Sequence, residues 1–323
     1  MLREVFEKNP NIVINTDIDG ILCGILLCNF CGCKVAGFSN SKDTVWLRGD
    51  VKSVYEPVYI DMFVPRNDVY CVDQHIVSVN DQHHNKFVDY GTKINPQLDR
   101  HRVFQKWDYT YKYPFGAVHY IIAMLEKEGV KIDYPLLKTI VDTKFNIRLG
   151  DLLLRADDAM KTTLDSNYKK NARDWWEWLL ELSGNAESVT GMADFLYKDT
   201  PADKVETIKA NTKSYFNKNF LSRTSDGGFN QIVDSKNNLL PNIQNYIDEI
   251  GKLMEKPIDY PKHYTPHKGK YNLLYWSPQW EEEFVNNGTI NGNEVFSYAF
   301  IYSPSGRFQN FSFTTEMDKY INQ

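Results

Sequence analysis

"NIVINTDIDGILCGILL", residues 11–27, decides how the rest of the chain is read. Ile12, Val13 and Ile14 form an apolar run of strand type, and Ile21 to Leu27 read as the apolar opening of a helix. Between them stand Asp17, Asp19 and Gly20. Carboxylates two apart on an extended segment point the same way, so both can face one small volume. Like charges held that close repel unless a cation or a proton lies between them. The competing reading is an N-cap and a turn, in which Asp and Gly are ordinary residues. The stretch alone leaves both open.

Outward from it, strand and helix signals alternate. "KVAGFS" (34–39), "PVYIDMF" (57–63) and "DVYCVDQH" (68–75) read as strands, and "GAVHYIIAMLEKEG" (116–129) as an amphipathic helix stopped by Gly129. This order predicts an α/β fold with a mostly parallel sheet and flanking helices. Ligands of such sheets lie beyond the carboxyl ends of the strands. Acidic residues sit at those ends: Asp17 and Asp19, then Asp61, then Asp73 with His75. "NARDWWEWLLELSG" (171–184) is a further amphipathic helix, its Trp175, Trp176 and Trp178 expected to pack between domains. "YNLLYW", "EVFSYAFIY" and "RFQNFSFTT" read as strands of a smaller C-terminal α+β domain. The expected organisation is 1–150 as the α/β domain, 151–200 as a helical linker and 201–323 as the smaller domain.

Composition narrows the function classes. With 42% hydrophobic and 14% aromatic residues in 323, the chain can bury a core. Its net charge of −5 argues against a strongly basic nucleic-acid coat. No apolar stretch spans a bilayer and MLREVFEKNP lacks a signal-peptide core, so no membrane partner and a cytoplasmic location are expected. The run "CNFCGC" (28–33) has zinc-like spacing, but no second Cys/His pair follows, and buried reduced thiols are the expectation. His83 and His84 read as a polar loop, and His119 as a core histidine.

Taken in order, D-x-D-G at 17–20, Asp61, "VDQH" at 72–75, "INP" at 94–96, "FGAVHYII" and "TIVDTKF" resemble the DHH phosphoesterase superfamily over residues 10–160. That resemblance implies two divalent metal ions, Mn2+ or Mg2+, and hydrolysis of a phosphodiester in nucleotides or short single-stranded nucleic acid. It implies Asp17 on the first ion, Asp19 on the second and Asp61 bridging, with Asp73 orienting the third motif and His75 facing the phosphate. The fourth acidic ligand is Asp142 or Asp157. Gln74 stands where the family has a second histidine, and Val13 and Asn15 stand where it often has His or Asp. Gln74 and Asn15 offer only neutral carbonyl oxygens, weaker ligands than imidazole or carboxylate. Arg100 and His101 are candidate phosphate contacts, as is Arg307, while Gly227 and Gly228 resemble a glycine-rich substrate loop. A DHH-like module without catalysis, binding a nucleotide, nucleic acid or protein, is the alternative.

Overall fold

Alternation along β1 (Asn11–Asn15) sets the layers. Ile12 and Ile14 enter one hydrophobic core and Val13 the other, as side chains of successive strand residues must. The same split recurs in β2 (Lys34–Ser39), β3 (Thr44–Leu47), β4 (Val58–Ile60) and β5 (Cys71–Val72), where Val35, Trp46, Ile60 and Val72 face one way and Ala36, Val45, Tyr59 and Cys71 the other. In this computed structural model residues 2–104, 111–132, 166–194, 228–301 and 310–318 are described. Asp142, Asp157, Gly227 and Arg307 lie outside them.

With β6 (Lys93–Ile94) and β7 (Thr265–Lys268) the strands form a seven-stranded sheet in the order β6-β5-β4-β1-β2-β3-β7. Neighbours from β6 to β2 are parallel; β3 runs antiparallel to β2, and β7 antiparallel to β3. The chain adds β2 on one side of β1 and β4 on the other. Strand order therefore reverses between β1 and β4, and their carboxyl ends open a crevice there. β7 comes from the segment read as the smaller domain, and β3, β6 and β7 are strands that the apolar pattern does not announce.

One face of the sheet is covered by α1 (Leu2–Lys8), α2 (Ile18–Cys31), α5 (Ala117–Lys127), α6 (Ser166–Leu182) and α8 (Pro241–Leu253), through Ile21, Ile25, Ile121, Trp176 and Ile247 among others. The tryptophans pack at and just before the start of α5: Trp175 lies edge-on to Tyr113, Trp176 edge-on to Phe115, and Trp178 stacks on Tyr120. The other face carries α3 (Asp81–Tyr90), α9 (Glu281–Asn287) and a second, antiparallel sheet. That sheet has the order β8 (Lys270–Tyr275), β11 (Asn310–Thr315), β10 (Asn293–Ile301), β9 (Thr289–Ile290). Its β10 meets the ends of β4 and β5, with Tyr298 N–H donating to the Phe63 carbonyl and Phe300 bridging Ile76. The α4 turn (Pro96–Asp99) and α7 (Glu187–Asp194) complete the described α-helices. No described helix is long and apolar enough to cross a membrane.

The polar-loop reading of His83 and His84 fails. Asn80 caps α3 by accepting from His83 N–H, which turns the segment into helix and buries both rings. His83 lies against Phe87 and Phe284, its Nδ1 without a hydrogen-bond partner among the described residues. Burial pushes its pKa down to about 3. The unfolded chain therefore takes up a proton near pH 6.5 that the native state refuses until about 3. Stability contributed by neutral His83 is complete above 6.5 and drains away as pH falls toward 3. Urea unfolding at pH 7, 5 and 4 should show this loss, with a slope of up to ~1.4 kcal/mol per pH unit from this group. His83→Leu should flatten the limb; an unchanged slope would show that His83 does not set it.

Candidate functional site

The "TDIDG" stretch resolves into two caps. Asp17 is extended, with ψ 177°, and accepts the Gly20 N–H at 2.9 Å as N-cap of α2. The helix begins at Ile18, so Asp19 is already helical and diverges from Asp17. Gly20 lies within the helix rather than in a turn, and a Cβ there would run into the Asn15 backbone. Asp19 is fully buried, and its two oxygens accept Ala117 N–H at 2.8 Å and Val118 N–H at 3.0 Å. These are the first amides of α5, whose N-cap, Gly116, has no side chain to satisfy them. A Cβ on Gly116 would come within 2.6 Å of the Asp19 carboxylate, so glycine and carboxylate fit as a pair. Each Asp19 oxygen thus accepts one backbone amide, and its charge is set against the positive end of α5.

The acidic group forms one strand further along. Asp61, just after β4, is buried with a left-handed φ of 58°. Asp tolerates that conformation better than most residues, and such outliers gather where geometry is over-determined. The Asn15 amide donates to Asp61 Oδ2 at 2.9 Å, and the Ser41 hydroxyl to its carbonyl at 3.3 Å. Asp73, just after β5, accepts His75 N–H at 2.9 Å and pairs with His75 Nδ1 at 2.8 Å. Nε2 is thereby the ring nitrogen left to serve the cleft. Asn95 fixes this turn, donating to the His75 carbonyl at 3.0 Å and to Asp73 Oδ2 at 3.4 Å.

Asp61, Asp73 and His75 each bring a ligand-type atom within 4.8 Å of the others, the one such group of three among the described residues. Two carboxylates and an imidazole suit a small divalent cation. A cavity of about 380 Å³ opens beside them, lined by Asn15, Asp17, Lys42, Asp61, His75 and Gly228 together with β8, β10 and β11. Gly228 is placed by its neighbour, whose N–H donates to Thr16 Oγ1 at 3.0 Å.

Other expected residues are drawn elsewhere. The Gln74 Oε1 is buried without a hydrogen-bond partner among the described residues, and Gln74 neither joins the acidic group nor lines the cavity. Arg100 pairs with Asp174 at 2.9 Å and lies over the Trp175 ring, while His101 pairs with Asp81 and packs on His84. Neither lines the cavity, because α3 and α6 supply nearer partners. The cysteines are free. Burial pushes the Cys28 thiol up to about 12 and Cys31 to about 11, which keeps them protonated and inert. A larger cavity of about 590 Å³, lined partly by Cys28 and Cys33, opens at the amino-terminal end of β2, away from the acidic group.

Reading by sequence missed Asn95 as a support, Ser41 and Lys42 in the β2–β3 turn, and Tyr271, Ala299 and Ser312 opposite. "INP" and the turn cluster "SNSKD" carried the first two signals; no local motif marks the others. Comparison of the chain with protein-family models, curated proteins and solved structures returns no match.

Proposed function

We propose that the protein is a metal-dependent phosphohydrolase acting on a phosphodiester of nucleotides or short single-stranded nucleic acid. The observation that carries this is the convergence of Asp61, Asp73 and His75 at the strand-order reversal, beside a cavity. The order of motifs resembling the DHH superfamily supports it. Asp61, Asp73 and His75 would hold a divalent cation, manganese or magnesium, with Asp17 further along the same wall. Such an ion supplies Lewis acidity to a phosphoryl oxygen when bound.

The chain's own residues do the rest. Asp73 holds the His75 ring in one orientation, as carboxylate partners of ligand histidines do. Asn15 fixes one oxygen of Asp61, and Asn95 fixes the loop that carries His75. Lys42 brings positive charge to the cavity wall for an anionic substrate.

A non-catalytic binding module is the second reading, and the use of Asp19 as a helix cap favours it, since that removes one donor from any second ion. Hydrolysis of the p-nitrophenyl ester of thymidine 5′-monophosphate and of short oligonucleotides, with and without manganese, separates the two. Turnover that requires manganese is expected. Calorimetric binding of manganese without turnover on these, on cyclic dinucleotides or on pyrophosphate would leave the module.

A further inference from the structure

The antiparallel sheet has two unlike faces. On β10 and β11, Tyr298 stands opposite Phe313 and Phe300 opposite Phe311, all four buried. The alternate residues share the other face. There Ser297 faces Thr314 and Ala299 faces Ser312, and the register continues onto β8 with Tyr271 beside Thr314 and Leu273 beside Ser312. Ala299, Ser312 and Tyr271 line the same cavity as Asp61 and His75. One surface thus runs from the acidic group, over small side chains that leave it flat, to Tyr271, Leu273 and Tyr275 at alternate positions of β8.

Leu273 is 49% exposed and Tyr275 60%. A contiguous apolar row continuous with a polar cavity is the kind of exposure that marks a ligand surface. Its occupant has to be flat and apolar to lie over Ala299 and Ser312, and joined to a group that reaches Asp61 and His75. A phosphate carrying an aromatic base has that form, and aromatic side chains stack any base.

We propose, resting on the phosphoester reading of the same cleft, that Tyr271, Leu273 and Tyr275 form a platform for the nucleobase next to the reacting phosphate. Preference for nucleotides over small phosphate esters then originates on β8 and not in the acidic group. Calorimetry with adenosine 5′-monophosphate and ribose 5-phosphate, both with manganese, tests this without requiring turnover. The parent protein should bind the nucleotide about tenfold tighter or more, the range of one stacked base. Leu273→Ser with Tyr275→Ser should erase the advantage and leave ribose 5-phosphate affinity unchanged. Both side chains are exposed, so the fold should survive, which a melting curve checks. Equal affinities in the parent, no binding of either ligand, or an advantage that persists in the double variant would overturn the platform. Hydrolysis of the thymidine ester, read on the same samples, judges the other claim separately. Base preference without turnover keeps the platform and removes the phosphohydrolase; turnover without base preference does the reverse.

Discussion

Asp19→Ala should lower the unfolding free energy by about 3–5 kcal/mol, the scale of breaking a buried charged partnership. Two effects add. The Ala117 and Val118 amides lose their acceptor in a fully buried site that Gly116 cannot serve. The positive end of α5 also loses the negative charge set against it. Asp19→Asn should cost roughly half as much, because its amide has one accepting oxygen for two donors and turns an N–H toward the other. Gly116→Ala should behave like a mild version, pressing a methyl on the same carboxylate. Urea unfolding with and without manganese is the measurement. The losses should be the same in both conditions. A metal ligand would give another pattern: Asp19→Asn harmless without manganese and deprived of any manganese-dependent gain, and that result would make Asp19 a metal ligand.

How much of this was legible in the sequence follows from the range of each interaction. The central strands and α2 were, since Ile12 to Ile14 and Ile21 to Leu27 are long apolar runs whose pattern is local. So were the carboxyl-end positions of Asp61, Asp73 and His75, which follow from strand direction alone. The fate of Asp19 was not: its partners lie 98 and 99 residues away, and the signal, a glycine before "AVHYII", looks like any helix start. Extended geometry for Asp17 and Asp19 was the wrong period, because the helix begins three residues before its first strongly apolar run. Arg100 looked like a phosphate contact because sequence shows the charge and not Asp174 or Trp175, which a distant helix brings. The short β3 and β6 and the edge strand β7 exist by pairing with neighbours, which no window of a few residues records.

Asp61→Asn should abolish manganese-dependent hydrolysis, by about a thousandfold or more, since loss of several kcal/mol of metal-supplied stabilisation costs a factor of ten per 1.36 kcal/mol. Asparagine is the informative choice. It keeps tolerance for the left-handed backbone at this position, and its carbonyl can still accept the Asn15 amide, so shape survives while the charge goes. Stability then separates a ligand from a structural carboxylate. Manganese at a hundredfold excess over its dissociation constant should raise the parent's unfolding free energy by about 2.7 kcal/mol, and the variant should lose that increment. Without manganese the variant should be no less stable than the parent, because Asp61 and Asp73 repel at the distance that lets them share a cation. Asn15→Ala and Asn95→Ala, which touch only the supports, should cost about 10- to 100-fold in metal affinity or rate. A parent and an Asp61→Asn variant with equal turnover and equal manganese shifts would place the chemistry, if there is any, outside this crevice.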